Sequence, residues 1–225
     1  VQQYNIKAIL FDLDGTLADT APDLVHALNL SLLESGLPST DYHKVCHAVT
    51  HGSLALVKAA QPQLAESQQK QLQQALLRHY THINGHKSIL YPKMAELLDH
   101  LDSVGMPYGV VTNKHASFAR PLVAKLGLTH RLKSLISGDS TIHPKPHKAP
   151  MLLAAQQLNT LPKHILYLGD AERDIVAANN ANMIAGAAHW GYLSATDSPT
   201  SWPADLHFAS SESLYEYIFK AVKSI

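Results

Sequence analysis

The sequence predicts an α/β protein, a doubly wound parallel sheet that carries a small inserted all-helical domain. Three observations lead there. Short apolar runs rich in Ile, Leu and Val recur at residues 8–11, 108–111, 134–136, 165–168 and 183–188. Helical patterns separate most of them, and the stretch from about residue 21 to 83 holds helical patterns only. Strands alternating with helices argue for parallel βαβ units. Strands that are apolar at nearly every position argue for a sheet covered on both faces.

The first strand, Ala8 to Phe11, runs directly into Asp12 and Asp14. The helical block begins at Thr20, a residue type suited to a helix N-cap. Leu24, Leu28 and Leu32 then recur at helical spacing before Gly36 as a stop. Its last helix is expected over residues 67–82, glutamine-rich with Leu72, Leu76 and Leu77 on one side. This block lies between the first strand and every later one. It reads as an insertion at 19–85 within a core formed by 1–18 and 86–225.

Beyond it, Met94, Leu97, Leu98 and Leu101 predict a helix ending at Gly105. Phe118, Leu122 and Leu126 predict one ending at Gly127, and Leu152, Leu153 and Leu158 mark a third. Asn182 tolerates the left-handed backbone of a helix-ending turn.

Bulk composition narrows the function classes. A chain of 225 residues, 46% hydrophobic, can bury a proper core. Its 18 basic residues cancel its 18 acidic ones, and no lysine or arginine block stands out, so nucleic acid is not an expected partner. Cys46 is the single cysteine, which rules out an intrachain disulfide and suits a reducing compartment. No signal-like start and no apolar run near the roughly 20 residues of a membrane helix is visible, so a soluble, cytoplasmic protein is expected. The 15 histidines are scattered without the spacing of a zinc site.

The strand ends carry the chemistry. One run ends at Asp12, another at Thr112 and Asn113, and a third at Gly169 and Asp170. In open α/β sheets the carboxyl ends of the strands border the ligand crevice. Asp12 and Asp14 would share one side of an extended chain, because strand side chains alternate with period two, and Asp170 can join them from a neighbouring strand. Carboxylates converging in this way repel one another and call for a hard cation. Mg²⁺ suits them, since it takes few protein oxygens and bridges to phosphate.

Phosphoryl transfer needs a nucleophile, cations on the non-bridging oxygens and a proton for the leaving oxygen. Asp12 can be the nucleophile and Asp14 the acid and base. Thr112 and the backbone near Asn113 can donate to phosphate oxygens, and Lys145, between Pro144 and Pro146, can supply positive charge. Within the helical block, "VTHGSLALV" at 49–57 is the candidate substrate loop. Gly52 and Ser53 can break one helix, begin the next and present N–H groups to an anion there.

"FDLDGTLADT", "VVTNK", "KPHKAP" and "LGDAERD" resemble, in order, the four motifs of the haloacid dehalogenase-like superfamily, and more narrowly its phosphoglycolate phosphatase branch. The resemblance spans residues 11–174 and implies a doubly wound core with a cap, here the helical insertion. It implies Asp12 as nucleophile, Asp14 as acid/base, Thr112 as phosphate binder and Lys145 as charge neutraliser. Asp12, Asp170 and the main-chain carbonyl of Asp14 would hold Mg²⁺, with Asp174 supporting the metal's water shell or orienting Lys145. Lys148 stands where the branch commonly has proline, so a second cation lies near Lys145; Lys145 occupies the motif position and is the expected neutraliser, with Lys148 solvated.

Asp14 favours phosphate esters over halides, since a departing halide needs no proton. The expected partner is a small phosphorylated metabolite, acted on by a monomer or homodimer. Two substrates stand close together. The branch points to phosphoglycolate, while Trp190, Tyr192 and Trp202 in the tail resemble phosphatases acting on N-acetylmuramic acid 6-phosphate. A sugar-phosphate mutase, or a signalling module that accepts phosphate on Asp12, are the other readings.

Overall fold

The computed structural model describes residues 4–222. The chain begins with β1 (Ala8–Phe11) and β2 (Ala18–Asp19) and then enters the helical block. That block contains α1 (Ala21–Glu34), α2 (Tyr42–Val45), a 3₁₀ turn (Cys46–His51), α3 (Ser53–Ala60) and α4 (Glu66–Ile83). After β3 (Ile89–Leu90) come α5 (Met94–Ser103), β4 (Tyr108–Val111), α6 (Ala116–Lys125), β5 (Ser134–Ile136) and α7 (Ala149–Gln157). The last third holds β6 (Ile165–Gly169), α8 (Glu172–Asn180), β7 (Ile184–Ala188), β8 (Leu206–Phe208) and α9 (Ser211–Val222).

Six strands form one sheet in the order β5-β4-β1-β6-β7-β8, and every neighbouring pair is parallel. From β1 the chain builds outward through β4 and β5, then returns to lay β6 on the other side of β1. That reversal is the topological switch point, where a crevice opens beyond the strand ends.

Burial of the strands follows from their sequence. Ile9 and Phe11 pack with α5, α6 and α9 on one face, while Ala8 and Leu10 pack with α7 and α8 on the other. Every residue of β1 is fully buried, so alternation separates two apolar faces rather than an apolar from a polar one. The pattern expected for α7 is only partly the buried one. Leu152 is 40% exposed, and the helix turns Met151, Ala154 and Ala155 to the sheet, where small side chains allow close approach. β8 carried no signal, being a three-residue edge strand with one buried side chain.

The helices between Ala21 and Ile83 share an apolar cluster of their own, in which Leu24, Leu28 and Leu32 meet Val49, Leu56, Leu72, Leu76 and Tyr80. At its root β2 and β3 pair antiparallel, joining the outgoing and returning chains. Asp23 of α1 ties the return down, accepting from the N–H groups of Gly85, Lys87 and Ser88 and from the Ser88 hydroxyl.

Thr20 sits at the N-cap of α1, yet its side chain does not cap the helix. Its hydroxyl donates to Asp14 Oδ1 at 2.5 Å, and the capping acceptor comes from 172 residues away. The Tyr192 hydroxyl accepts from the N–H of Thr20 at 2.6 Å and of Ala21 at 2.8 Å, and donates to Asp19 Oδ1 at 2.7 Å. Among the described residues no helix is long and apolar enough to cross a membrane.

Candidate active site

β1 lies between β4 and β6, so Asp12, Thr112 and Asp170 emerge side by side at the switch point. The route from Asp12 to Asp14 differs from the extended one expected. β1 stops at Phe11, and the chain coils, with Leu17 N–H bonded to the Asp12 carbonyl at 3.2 Å and Ala18 N–H to that of Leu13 at 3.0 Å. Gly15 makes the coil possible. Its φ is +83°, and an added Cβ would collide with the Asp170 carboxylate. A Cβ on Gly191 would meet the same side chain.

The coil corrects the expected acidic cluster. The three carboxylates that converge, with ligand atoms within 4.8 Å of one another, are those of Asp12, Asp170 and Asp174. The Asp14 carboxylate is turned away to Lys114, whose Nζ lies 2.9 Å from Oδ1. The resemblance assigned Asp14 to a metal through its main-chain carbonyl alone, and that assignment does not depend on where the carboxylate points.

Lys145 lies under this cluster, fully buried. Its Nζ is 2.9 Å from Asp12 Oδ1, 2.8 Å from Asp174 Oδ1, 2.9 Å from the Val111 carbonyl and 2.7 Å from the Tyr167 hydroxyl. A buried ammonium so surrounded is fully satisfied. Lys148 is exposed at the start of α7. Asn113 fixes Lys145 through its backbone: its amide donates to the Lys145 carbonyl and accepts from the Lys145 N–H, both at 3.0 Å. One donor and one acceptor of the Asn113 amide are thereby engaged by the Lys145 backbone.

Negative charge is in excess around Asp170. Among the described residues no cation is ion-paired with it. Thr16 and the Tyr192 N–H donate to its oxygens at 3.3 and 2.9 Å. Burial, then Asp12 and Asp174, push its carboxyl up to about 8. Burial raises Asp12 as well, against the pull of Lys145. Three oxygen-bearing acids, one of them without a counter-charge, in a space kept clear by two glycines, suit a hard divalent cation.

Asp12, Asp14, Thr112 and Asn113 form the floor of a cavity of about 470 Å³. Gly52 and Ser53 line its opposite wall, with Leu56 and Tyr80 beside them. Gly52 has φ +91° and separates the 3₁₀ turn from α3 as expected, although its own N–H is engaged by the Val49 carbonyl at 2.9 Å. The Ser53 hydroxyl accepts from Gln73. Asp170, Asp174 and Lys145 stand behind Asp12 rather than on the cavity surface.

Two cations on the cavity wall escaped the sequence reading, Lys114 and Arg173. Burial disfavours the charged Lys114, but Asp14 and then Tyr80 outweigh it and hold its ammonium above the usual lysine range. Its Nζ also sits 4.8 Å over the Tyr80 ring. Both residues lie inside quoted motifs, "VVTNK" and "LGDAERD", and nothing in those strings ranks them above the exposed lysines. Tyr192 was likewise visible only as a tail aromatic.

A family model described as haloacid dehalogenase-like hydrolase matches residues 9–188. The chain belongs to that family. Over 210 residues it is 37% identical to a phosphoglycolate phosphatase of Xanthomonas campestris pv. campestris, covering 93% of this chain and 95% of the relative. An N-acetylmuramic acid 6-phosphate phosphatase of Pseudomonas aeruginosa is 36% identical over 207 residues, covering 92% of each. The crystal structure of a predicted phosphoglycolate phosphatase from Haemophilus somnus 129pt superposes with a TM-score of 0.84 at 29% identity. That match covers 98% of this chain and all of the other. This haloacid dehalogenase-like hydrolase thus shares fold and length with relatives bearing two different substrate names.

Proposed function

We propose that the chain is a Mg²⁺-dependent phosphatase that hydrolyses a small phosphorylated metabolite through a phosphoryl group carried on Asp12. The observation that carries the reading is the state of the Asp12 carboxylate. Oδ1 is held by the Leu13 N–H at 2.8 Å and by Lys145 at 2.9 Å, and among the described residues Oδ2 has no hydrogen-bond partner. One oxygen is fixed and the other is free to attack.

Asp12, Asp170 and the carbonyl of Asp14 would hold Mg²⁺, with Asp174 supporting its water shell. The bound ion supplies positive charge to the phosphoryl oxygens. Asp12 Oδ2 forms a bond to phosphorus as the ester P–O bond breaks. Asp14 acts as the general acid, passing a proton to the departing alkoxide. In the second half Asp14 takes a proton from water, the water oxygen bonds to phosphorus, and the P–O bond to Asp12 breaks, releasing phosphate.

Thr112 Oγ1 accepts from the Lys114 N–H at 3.1 Å, which leaves its own hydrogen for a phosphate oxygen. Lys145 offsets charge on Asp12 throughout. Gly52 and Ser53 contribute the wall that meets the rest of the substrate, in a cap spanning 19–85 on a core of 1–18 and 86–225.

Of the two substrate names carried by the relatives, the cavity favours the bulkier amino-sugar phosphate. Its volume of about 470 Å³ and its wall of Leu24, Val49, Leu56, Leu77, Tyr80 and Phe118 exceed what a two-carbon acid can fill. The test is phosphate release from a panel containing phosphoglycolate, N-acetylmuramic acid 6-phosphate and glucose phosphates, with Mg²⁺ and with EDTA. Turnover should be lost in EDTA and should fall at least about ten-thousand-fold in Asp12→Asn. Undiminished turnover by that variant would overturn the assignment.

A further inference from the structure

On the proposed phosphatase reading, we infer that Arg173 is a positioning residue that fastens the cavity wall of the helical block to the first turn of α8, which bears Asp174 and follows Asp170. Arg173 is the second residue of α8, adjacent to Asp174 in sequence. Its Nη2 donates to Thr50 Oγ1 at 3.2 Å, across the gap between the core and the 3₁₀ turn before Gly52. Both residues line the cavity that contains Asp12.

The permanently charged guanidinium is half-buried on the wall of the cavity. Among the described residues it has no ion pair within 4.0 Å, and its buried Nε has no hydrogen-bond partner. The bond to Thr50 is therefore its one directed contact. A partly buried cation with donors to spare is a costly arrangement unless the contact it makes is used.

On another rim of the cavity Lys114 makes the corresponding reach, from Asp14 in the core to the ring of Tyr80 in α4. Away from the β2–β3 root, two core cations thus reach the helical block, beside the packing of Phe118 on Tyr80. Of the two, only Arg173 touches the turn that leads into Gly52 and Ser53. Release of that bond frees the turn to move away from Asp12, so that the wall no longer meets the part of the substrate beyond the phosphate.

The test needs no knowledge of the substrate. Amide hydrogen exchange is measured on the whole chain for wild type, Thr50→Val, Thr50→Ser and Arg173→Lys. Thr50→Val should accelerate exchange over residues 46–57 about tenfold, while α5 and β4 keep their rates. Thr50→Ser, which keeps the acceptor, should match wild type. Arg173→Lys, which keeps the charge but not the planar fork, should resemble Thr50→Val.

In steady state with whichever ester the panel identifies, Thr50→Val should raise KM about tenfold with kcat changed less than threefold. A purely structural lesion would lower the active fraction, and hence kcat, at unchanged KM. Unaltered exchange over 46–57 in both Thr50→Val and Arg173→Lys would overturn the inference even if every phosphatase assay succeeded. Faster exchange in a chain that releases no phosphate would uphold the link and reject the phosphatase reading alone.

Discussion

Tyr192→Phe isolates the interaction that roots the helical block. The Tyr192 ring is 7% exposed and packs in the cluster of α1 to α4, so phenylalanine fills the same volume and opens no cavity. Only the hydroxyl is lost. With it go two accepted bonds, from Thr20 and Ala21, and one donated bond, to Asp19. Thr20 and Ala21 are fully buried, so water has no ready access to the two stranded N–H groups at the start of α1.

An unsatisfied buried polar group costs about 1–3 kcal/mol, and the low end for each of the two stranded N–H groups gives about 2 kcal/mol, the half-exposed Asp19 being open to water. For a chain of this size each kcal/mol moves the midpoint by about 2–4 °C, so Tm should fall by about 4–8 °C. Thermal unfolding followed by circular dichroism and near-UV absorbance measures it. A shift below about 2 °C would refute the reasoning, because it would mean that α1 is capped adequately without the hydroxyl. The Tyr192 N–H to Asp170 is a main-chain bond and survives the substitution, so the Mg²⁺ affinity should stay within about twofold of wild type.

Two further outcomes are expected. Gly15→Ala must place a Cβ at φ +83° against the Asp170 carboxylate. It should lower stability by about 1–3 kcal/mol and weaken Mg²⁺ binding, read by chemical unfolding and calorimetry. Wild-type stability in that variant would show that the coil after β1 can relax. In EDTA-treated protein Asp170, pushed up to about 8 from the ordinary carboxylate value near 4, holds its proton in the folded state. The folded chain then binds more protons than the unfolded one between about pH 4 and 8, so its metal-free stability should fall as pH rises through that window. At the proposed Mg²⁺ site the ion must displace that proton, so its affinity should climb by up to about tenfold per pH unit below pH 8 and level off above it. Calorimetric affinity that is flat from pH 6 to 8 would contradict the shift.

Much of the core was written in the sequence, because buried parallel strands leave a local signal. Residues 8–11, 108–111 and 134–136 stood out as apolar runs and form β1, β4 and β5 with those same limits. The ends of the runs at 8–11, 108–111 and 165–168 placed Asp12, Thr112 and Asp170 at one sheet edge by topology alone, and the helical block announced itself by period and by the lack of strands. Such patterns are properties of neighbours in the chain, and each residue's own chemistry suffices to read them.

Tertiary structure decided what depends on residues far apart. The coil at 12–18 turned Asp14 toward Lys114 and made Asp174 the third member of the acidic cluster, a change of direction that the pair "DLD" does not encode. Lys145 outranks Lys148 through its burial among Asp12, Asp174 and Tyr167, contacts that exist only once β1, β4 and β6 are side by side. Arg173 meets Thr50 across 123 positions, and Tyr192 caps a helix that begins 171 positions earlier. A local string carries no trace of a partner that folding supplies. The types of residue that can do the chemistry were therefore legible in the sequence, and their pairing was settled by packing.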